Sequence, residues 1–234
     1  MALPFFFIDQ VGSNGQEIAL DESTSKHIVQ VLRMKTGERL HLTDGKGNLF
    51  LAGIEQQQKK KCIVRIVEHT NTPASAIRSV IAVSLVKNTA RFEWFLEKAT
   101  ELGITAVIPL ICERTERVHF RIDRMRNIMI SALLQSQQTW LPAISEPLRF
   151  QDWVTLQEDT QKYIAHCIEG SKQSLKEIMS DSKDTAVCIG PEGDFTPQEI
   201  EQSIRSGFVP VSLGETRLRT ETAALVAATL LRIK

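Results

Sequence analysis

Ile189-Gly-Pro-Glu-Gly-Asp-Phe195 and Leu213-Gly-Glu-Thr-Arg-Leu-Arg-Thr-Glu-Thr-Ala-Ala224 each follow a short apolar run, Ala186-Val-Cys-Ile189 and Phe208-Val-Pro-Val-Ser-Leu213. Each reads as a strand that ends in a glycine turn and enters a helix. Glycines in the first turn let the backbone approach a ligand with no Cβ in the way. Thr196-Pro-Gln-Glu199 has the form of a capping box, with Thr196 as N-cap, Pro197 at the first helical position and Glu199 reaching back to the free amide. A helix is expected from there to about Ser206, stopped by Gly207. Residues 221–233 read as a terminal helix with Thr220 as N-cap, and its small residues permit close packing. One such turn is common in α/β proteins; two of them, the second with Arg219-Thr-Glu-Thr-Ala223, are far more specific.

Upstream, strand and helix alternate. Val80-Ile-Ala-Val-Ser-Leu-Val86 is a nearly continuous apolar strand of the kind buried on both faces of a parallel sheet. Residues 91–102 form an amphipathic pattern with Phe92, Phe95, Leu96 and Ala99 on one face and Gly103 as its stop. Ala106-Val-Ile-Pro-Leu-Ile111 and Tyr163-Ile-Ala-His166 supply further strands, with helices expected at 123–137, 171–180 and 197–206. The alternation predicts an α/β sheet, in which ligands sit at the carboxyl ends of strands. That is where His166-Cys-Ile-Glu-Gly170 and both glycine turns fall.

The first seventy residues differ. Arg39-Leu-His-Leu42, Leu49-Phe-Leu-Ala-Gly-Ile54 and Cys62-Ile-Val-Arg-Ile-Val67 alternate apolar and polar positions between turn residues, a small β-barrel pattern. One helix is expected at 25–34, capped by Ser23 or Thr24 and ended near Gly37. Asn71-Thr-Pro-Ala-Ser-Ala76 carries turn formers and no apolar core, which divides the chain into domains at 1–72 and 73–234.

With 234 residues and 42% hydrophobic content the chain has ample material for two cores. No apolar run approaches the roughly eighteen residues of a membrane span, so no membrane partner is expected. Cys62, Cys112, Cys167 and Cys188 form no Cys-x-x-Cys pair, and His27, His41, His69, His119 and His166 form no ligand pattern, so no metal is expected. Unpaired thiols suit a cytoplasmic location. The net charge of zero argues against a uniformly basic nucleic-acid glove. Residues 71–140 nevertheless carry nine Lys and Arg against six Asp and Glu, whereas 141–234 carry ten against fourteen. Arg114, Arg117, Arg121, Arg124 and Arg126 crowd one segment, which reads either as a phosphate-contacting patch or as a solvated helix face with pairs such as Glu113 to Arg117.

The paired glycine turns resemble those of the RsmE family of 16S ribosomal RNA uracil-N3 methyltransferases, members of the knotted SPOUT class that use S-adenosylmethionine. The resemblance extends over nearly the whole chain, through His27-Ile-Val-Gln-Val-Leu-Arg33, Asp44-Gly-Lys-Gly47, Lys87, Arg91, Glu93, Lys98-Ala-Thr-Glu-Leu-Gly103, Pro109 and Glu113-Arg114-Thr115. It implies a SPOUT-type trefoil-knotted parallel sheet, an N-terminal PUA-like RNA-binding barrel and a homodimer; the Ala-rich terminal helix suits a close interface and reads equally as a helix buried within one subunit. One stretch departs from the family. Where a Glu and an Arg are usual, Ala132-Leu-Leu-Gln-Ser-Gln-Gln138 has Leu134 and Gln138, which leaves open a non-catalytic RNA-binding assembly factor on the same fold.

The resemblance places the methyl donor, and S-adenosylhomocysteine as product, in a cleft formed by Ile189, Gly190, Pro191, Glu192, Gly193, Leu213, Gly214, Leu218, Thr220, Thr222 and Ala223, with Cys167 and Gly170 nearby. A glycine turn at a helix start could also hold a phosphate, but Glu192 and Asp194 would repel one, and neither dinucleotide nor P-loop spacing occurs there. Uracil N3 lies on the Watson–Crick edge, so the target base must be unpaired or flipped out. Its proton must be lost to a base, or the anion stabilised by cations, as the methyl group transfers. Arg219 and Arg114 are candidates to stabilise a uracilate; Glu221 is a candidate base or a helix-start anion. His27, Arg33, Lys35, Lys87 and Arg91 are candidates to contact RNA, and His27 reads equally as a residue at the domain interface.

Overall fold

The computed structural model describes residues 3–9, 12–58, 60–156, 161–170 and 172–233. Contacts divide the chain into a first unit of residues 1–74 with 133–141, and a second of 75–132 with 142–234.

The first unit contains β1 (Phe5–Phe7), β2 (Glu17–Ala19), α1 (Glu22–Lys26), β3 (Arg39–Thr43), β4 (Asn48–Gln56) and β5 (Ile63–Asn71). The sheet runs β1-β3-β4-β5-β2, with β1 parallel to β3 and the other pairs antiparallel. Alternation puts Leu40 and Leu42, Phe50, Ala52 and Ile54, and Val64 and Ile66 into one core with Phe6 and Ile28. The helix differs from expectation. Its N-cap is Asp21, whose carboxylate accepts the backbone N–H groups of Ser23 and Thr24 and both their hydroxyls, so the hydroxyls expected to cap are themselves engaged. After Lys26 the coil widens into a π-helical turn, His27–Val31, and Arg33 leaves it with a φ of 54°.

Residues 133–141 group with the first unit, which no sequence pattern had indicated. Gly47 donates its N–H to the Thr139 carbonyl at 2.8 Å, Leu141 to that of Gly45 at 2.9 Å, and the Trp140 indole to that of Thr72 at 2.8 Å. Leu134 and Gln138 lie in this segment, and the Gln138 amide turns back on the Ser136 hydroxyl.

The second unit adds β6 (Ser79–Ser84), α2 (Thr89–Glu101), β7 (Ala106–Ile111), α3 (Ile122–Gln135, whose end is grouped with the first unit), β8 (Ala143–Ile144), β9 (Leu148–Arg149), α4 (Phe150–Thr155), β10 (Gln161–Ala165), β11 (Gln173–Ser174), α5 (Leu175–Ile178), β12 (Thr185–Ile189), α6 (Pro197–Arg205), β13 (Val209–Ser212) and α7 (Thr220–Arg232). Every pairing is parallel, in the order β11-β13-β10-β12-β6-β7-β8, with β9 also on β7. All six residues of β6 are buried. Val80 and Ala82 pack with Phe150 and Trp153 of α4 and Ile200 of α6, while α7 packs on β6, β12 and α2 outside that cluster.

Two elements depart from the sequence expectation. The helix expected at 171–180 is confined to α5, and the short α4 was not anticipated. At the start of α7 the cap position belongs to Arg219; Thr220 is already helical, and its hydroxyl donates instead to the Gly190 carbonyl at 3.0 Å. The capping box of α6 forms as read: Glu199 N–H donates to the Thr196 hydroxyl at 3.2 Å and Thr196 N–H to the Glu199 carboxylate at 2.8 Å. No helix among the described residues is long and apolar enough to cross a membrane.

Candidate active site

The chain order fixes where a cleft opens. From β6 the chain passes to β7 on one side, then returns to β10 on the other side, two places from β6, and β12 fills the gap between them. Loops leaving β10, β12 and β13 therefore diverge at one end of the sheet, the position that favours ligand binding in parallel α/β folds.

Residues 190–199 hold these loops together. Glu192 accepts the N–H of Lys87 at 2.9 Å, Asp194 that of Cys167 at 2.8 Å, and Glu199 that of Glu113 at 2.9 Å. The carboxylates thus tie down the chain just beyond β6, β10 and β7. Arg114 donates to the Gly193 carbonyl at 2.7 Å and Thr220 to that of Gly190, so α7 is held to the same segment. Asp194 adopts a φ of 64°, a conformation an aspartate tolerates; its other carboxylate oxygen accepts the Phe195 N–H at 2.9 Å. Gly190 lies so close to Phe195 that a Cβ would stand 3.0 Å from the ring. The acidic residues that argued against a phosphate turn serve here as acceptors for neighbouring backbone.

These loops enclose a cleft of about 760 Å³, a size typical of cofactor sites. Cys167, Ile189, Gly190, Pro191, Glu192, Leu213, Gly214, Leu218, Thr220 and Ala223 line it, as do Arg219 and Arg91. Ile189, Leu213 and Leu218 give apolar surface, and the turns present backbone donors and acceptors. Gly170, Gly193 and Thr222 do not line it, and neither do Arg114 and Glu221. Gly193 instead supplies a carbonyl to Arg114.

Glu221 is buried in the first turn of α7, with its Oε1 3.6 Å from Arg91 Nε and its Oε2 without a partner. It therefore reaches the cleft only through Arg91. Arg219 is exposed on the rim. Lys87 is turned to Glu116 at 2.8 Å and lies outside the lining. In the first unit Arg33 and Lys35 are exposed, and the His27 ring packs edge-on against Phe6. The expected Glu113 to Arg117 pair does not form among the described residues.

Sequence reasoning missed Lys172 and Arg217, which line the cleft together with His166, a residue it placed at the ligand end of the sheet but gave no role. Lys172 closes the loop after β10 by donating to the carbonyls of His166 at 2.6 Å and Ile168 at 2.9 Å. Burial, with the Lys172 charge beside it, holds the His166 imidazole below its ordinary pKa. Its Nδ1 is buried and without a partner. Burial, reinforced by Glu199, pushes the Cys112 thiol up to about 12, and burial raises Cys188 well above its usual value, so neither is a nucleophile. The described residues contain no cluster of His, Cys, Asp and Glu able to hold a metal.

A parallel sheet with a glycine-turn cleft at its switch point defines an α/β enzyme of the cofactor-binding kind. Residues 73–232 match the RNA methyltransferase domain family and residues 20–67 its PUA domain. The chain is 30% identical, over 97% of its length and 94% of the relative's, to a ribosomal RNA small subunit methyltransferase E of Rickettsia conorii. Among solved structures it resembles a probable rRNA-methyltransferase from Porphyromonas gingivalis (TM-score 0.92, 35% identity, 98% of both chains). It also resembles a ribosomal RNA small subunit methyltransferase E from Neisseria gonorrhoeae bound to S-adenosyl methionine (TM-score 0.87, 30% identity, 97% of this chain and 96% of that one). The chain belongs to this RNA methyltransferase family, with a SPOUT-type parallel-sheet fold and an N-terminal PUA-type domain.

Proposed function

We propose that this protein transfers the methyl group of S-adenosylmethionine to N3 of a single uridine in the decoding region of small-subunit ribosomal RNA, acting as a cytoplasmic homodimer. Residues 1–72 serve as the RNA-binding domain and 73–234 as the catalytic domain. The observation that carries this reading is the cleft at the switch point, with apolar walls, glycine turns and three arginines, Arg91, Arg217 and Arg219, in a chain similar over nearly its full length to named small-subunit rRNA methyltransferases.

The cleft fits the donor: Ile189, Leu213 and Leu218 offer apolar contact for a purine, and the strand-end turns offer backbone groups that read its edges. When bound, the donor supplies an electrophilic methyl on a sulfonium and leaves as S-adenosylhomocysteine. The protein's part is to bring N3 into line and manage its proton. As the N–CH3 bond forms and the S–CH3 bond breaks, the N3 proton passes to solvent or a base, and the developing uracilate needs cations. Arg219 and Arg91 line the cleft and supply them, while Glu221 holds Arg91 in place. Arg114 steadies the 190–195 turn. Cys167, Gly170 and Gly193 belong to the loops that shape the donor pocket and Thr222 to the first turn of α7 beside it, and His27, Arg33, Lys35 and Lys87 contribute to the grip on RNA. Ala224, Ala227 and Ala228 of α7 are already buried within the subunit, so a dimer contact on this helix falls to its half-buried Leu225, Val226 and Leu230.

Labelled methyl transfer to unmethylated small subunits, followed by mass-spectrometric mapping, tests the reaction. One N3-methyluridine in the decoding region is the expected result. Donor binding with no transfer would replace this reading with an assembly factor, and a mark elsewhere would overturn the substrate. Light scattering over a wide concentration range tests the dimer, and a fully active monomer would exclude it.

A further inference from the structure

A second concavity, of about 240 Å³, is lined by Thr89, Glu93, His119, Arg121, Arg124 and the buried Met125, with Ala90 beside them. It shares the first turn of α2 with the donor cleft: Thr89, Ala90 and Glu93 lie on one helical face and turn to this concavity, while Arg91, about 100° further round, turns to the cleft.

The side chains around it are held in place. Glu93, only 15% exposed, receives Arg124 Nε at 2.5 Å and Nη2 at 2.9 Å. That fork fixes the guanidinium plane and leaves Nη1 free to donate. The Phe120 ring packs edge-on against Phe92 at 6.1 Å, which anchors the irregular segment before α3 with His119 and Arg121 on either side. Both are exposed and make no side-chain hydrogen bond or ion pair among the described residues. Since Arg124 cancels Glu93, the concavity keeps the charge of Arg121, with the His119 imidazole as a further donor.

We propose that this concavity is a phosphodiester subsite, holding a backbone phosphate of the RNA strand beside the nucleotide presented to the donor cleft. Arg124 offers a pre-oriented N–H, Arg121 a mobile cation and His119 a ring N–H, a set that fits phosphate oxygens and carries no base preference. The inference rests on the RNA-methylating reading above and sorts the arginine-rich segment: Arg114 is spent on the 190–195 turn, while Arg121 and Arg124 face the ligand.

The test is filter binding of unmethylated small ribosomal subunits across a salt series to the full-length protein and to Arg121→Ala, His119→Ala and Arg205→Ala, the last an exposed cation on α6 as control. Unchanged S-adenosylmethionine binding verifies that each variant is folded. Arg121→Ala is expected to bind about tenfold more weakly and to lose roughly 0.7 from the slope of log affinity against log salt, one phosphate contact to a single strand. His119→Ala should weaken binding in the same direction, and Arg205→Ala should match the unmodified protein. Affinity and slope for Arg121→Ala equal to those of the control would overturn the subsite. Methyl transfer by the unmodified protein reads the reaction and the variant-to-control binding ratio reads the subsite, so either can fail without the other.

Discussion

Arg91 and Glu221 join the cleft to the fold, and a double-mutant cycle measures the connection. The Glu221 carboxylate is 9% exposed and the Arg91 side chain 39%, with 3.6 Å between Oε1 and Nε. At that separation two unit charges attract by about 1 kcal/mol in water and about 5 at an effective dielectric of 20. The exposure of Arg91 places the pair toward the lower bound, so a coupling of about 1–2 kcal/mol is expected. Arg91→Ala leaves a buried carboxylate with only the α7 N-terminus to face and should cost about 2 kcal/mol. Glu221→Gln keeps the shape, strands only a solvated guanidinium and should cost about 1 kcal/mol. The double variant should therefore fall short of the sum by the coupling energy. Urea unfolding followed by the fluorescence of Trp153, buried in α4 of the same unit, in a background with Trp94 and Trp140 replaced by Phe, reads these differences. Additivity within about 0.4 kcal/mol would refute the pairing. Turnover separates the two roles of Glu221: a residue that positions Arg91 should cost about tenfold or less when changed to Gln, whereas a general base should cost about 10²–10⁴-fold.

Three further outcomes follow from the same geometry. Gly47 has a φ of 89°, and a Cβ there would stand 2.5 Å from the Thr72 carbonyl and 2.7 Å from the Trp140 ring; Gly47→Ala should destabilise the first unit by at least about 2 kcal/mol, read by Trp140 fluorescence during unfolding. Thr220→Val removes the donor to the buried Gly190 carbonyl and should cost about 1–2 kcal/mol while weakening S-adenosylmethionine binding in calorimetry; unchanged affinity would mean that the turn does not depend on α7. His166 has a folded pKa below its ordinary 6.5, so below about that pH the unfolded chain takes up a proton that the native chain resists. Stability contributed by neutral His166 is present above that pH and is lost as pH falls toward the folded pKa, by at most about 1.4 kcal/mol per pH unit. The melting temperature should accordingly drop more steeply below pH 6.5 in the unmodified protein than in His166→Gln.

Local signals were the readable ones. The capping box at Thr196 and Glu199, the apolar run of β6, the period of α2 and the glycine turns after β12 and β13 all follow from chemistry within a few residues, and the structure bears them out. Competition between neighbours was less readable. Asp21 displaces Ser23 and Thr24 as a cap because a carboxylate accepts several N–H groups at once, and Thr220 gives up its capping position because a strand-end carbonyl lies within reach of its hydroxyl. Long-range matters carried no sequence signal at all. The grouping of residues 133–141 with the first unit rests on backbone hydrogen bonds and on the Trp140 indole bonded to the Thr72 carbonyl, contacts that no local pattern announces. Lys172 was invisible as a cleft residue because it acts by bonding carbonyls, a role open to many side chains, whereas His166 was placed at its strand end by position alone.

The acidic turn shows why the cleft is shaped by polar rather than apolar contacts. A parallel sheet leaves the N–H groups of its departing loops unpaired just where a ligand must enter, and each such group, once partly buried, needs an acceptor. Water would satisfy them but would leave the loops independent of one another. Glu192, Asp194 and Glu199 each take an N–H from a loop following a different strand, β6, β10 and β7 respectively. Because all three carboxylates sit on one ten-residue stretch of chain, the positions of the loops are coupled through it. Charge-assisted bonds of this kind are worth more than neutral ones, and replacing any one carboxylate by its amide keeps an acceptor while weakening the bond. Glu192→Gln, Asp194→Asn and Glu199→Gln should therefore each leave the fold intact yet reduce donor affinity by a few-fold, because the donor must then order loops that the carboxylates had already ordered. Calorimetry of S-adenosylmethionine binding provides the measurement: wild-type affinity in all three variants would show that the carboxylate charge does not order the loops.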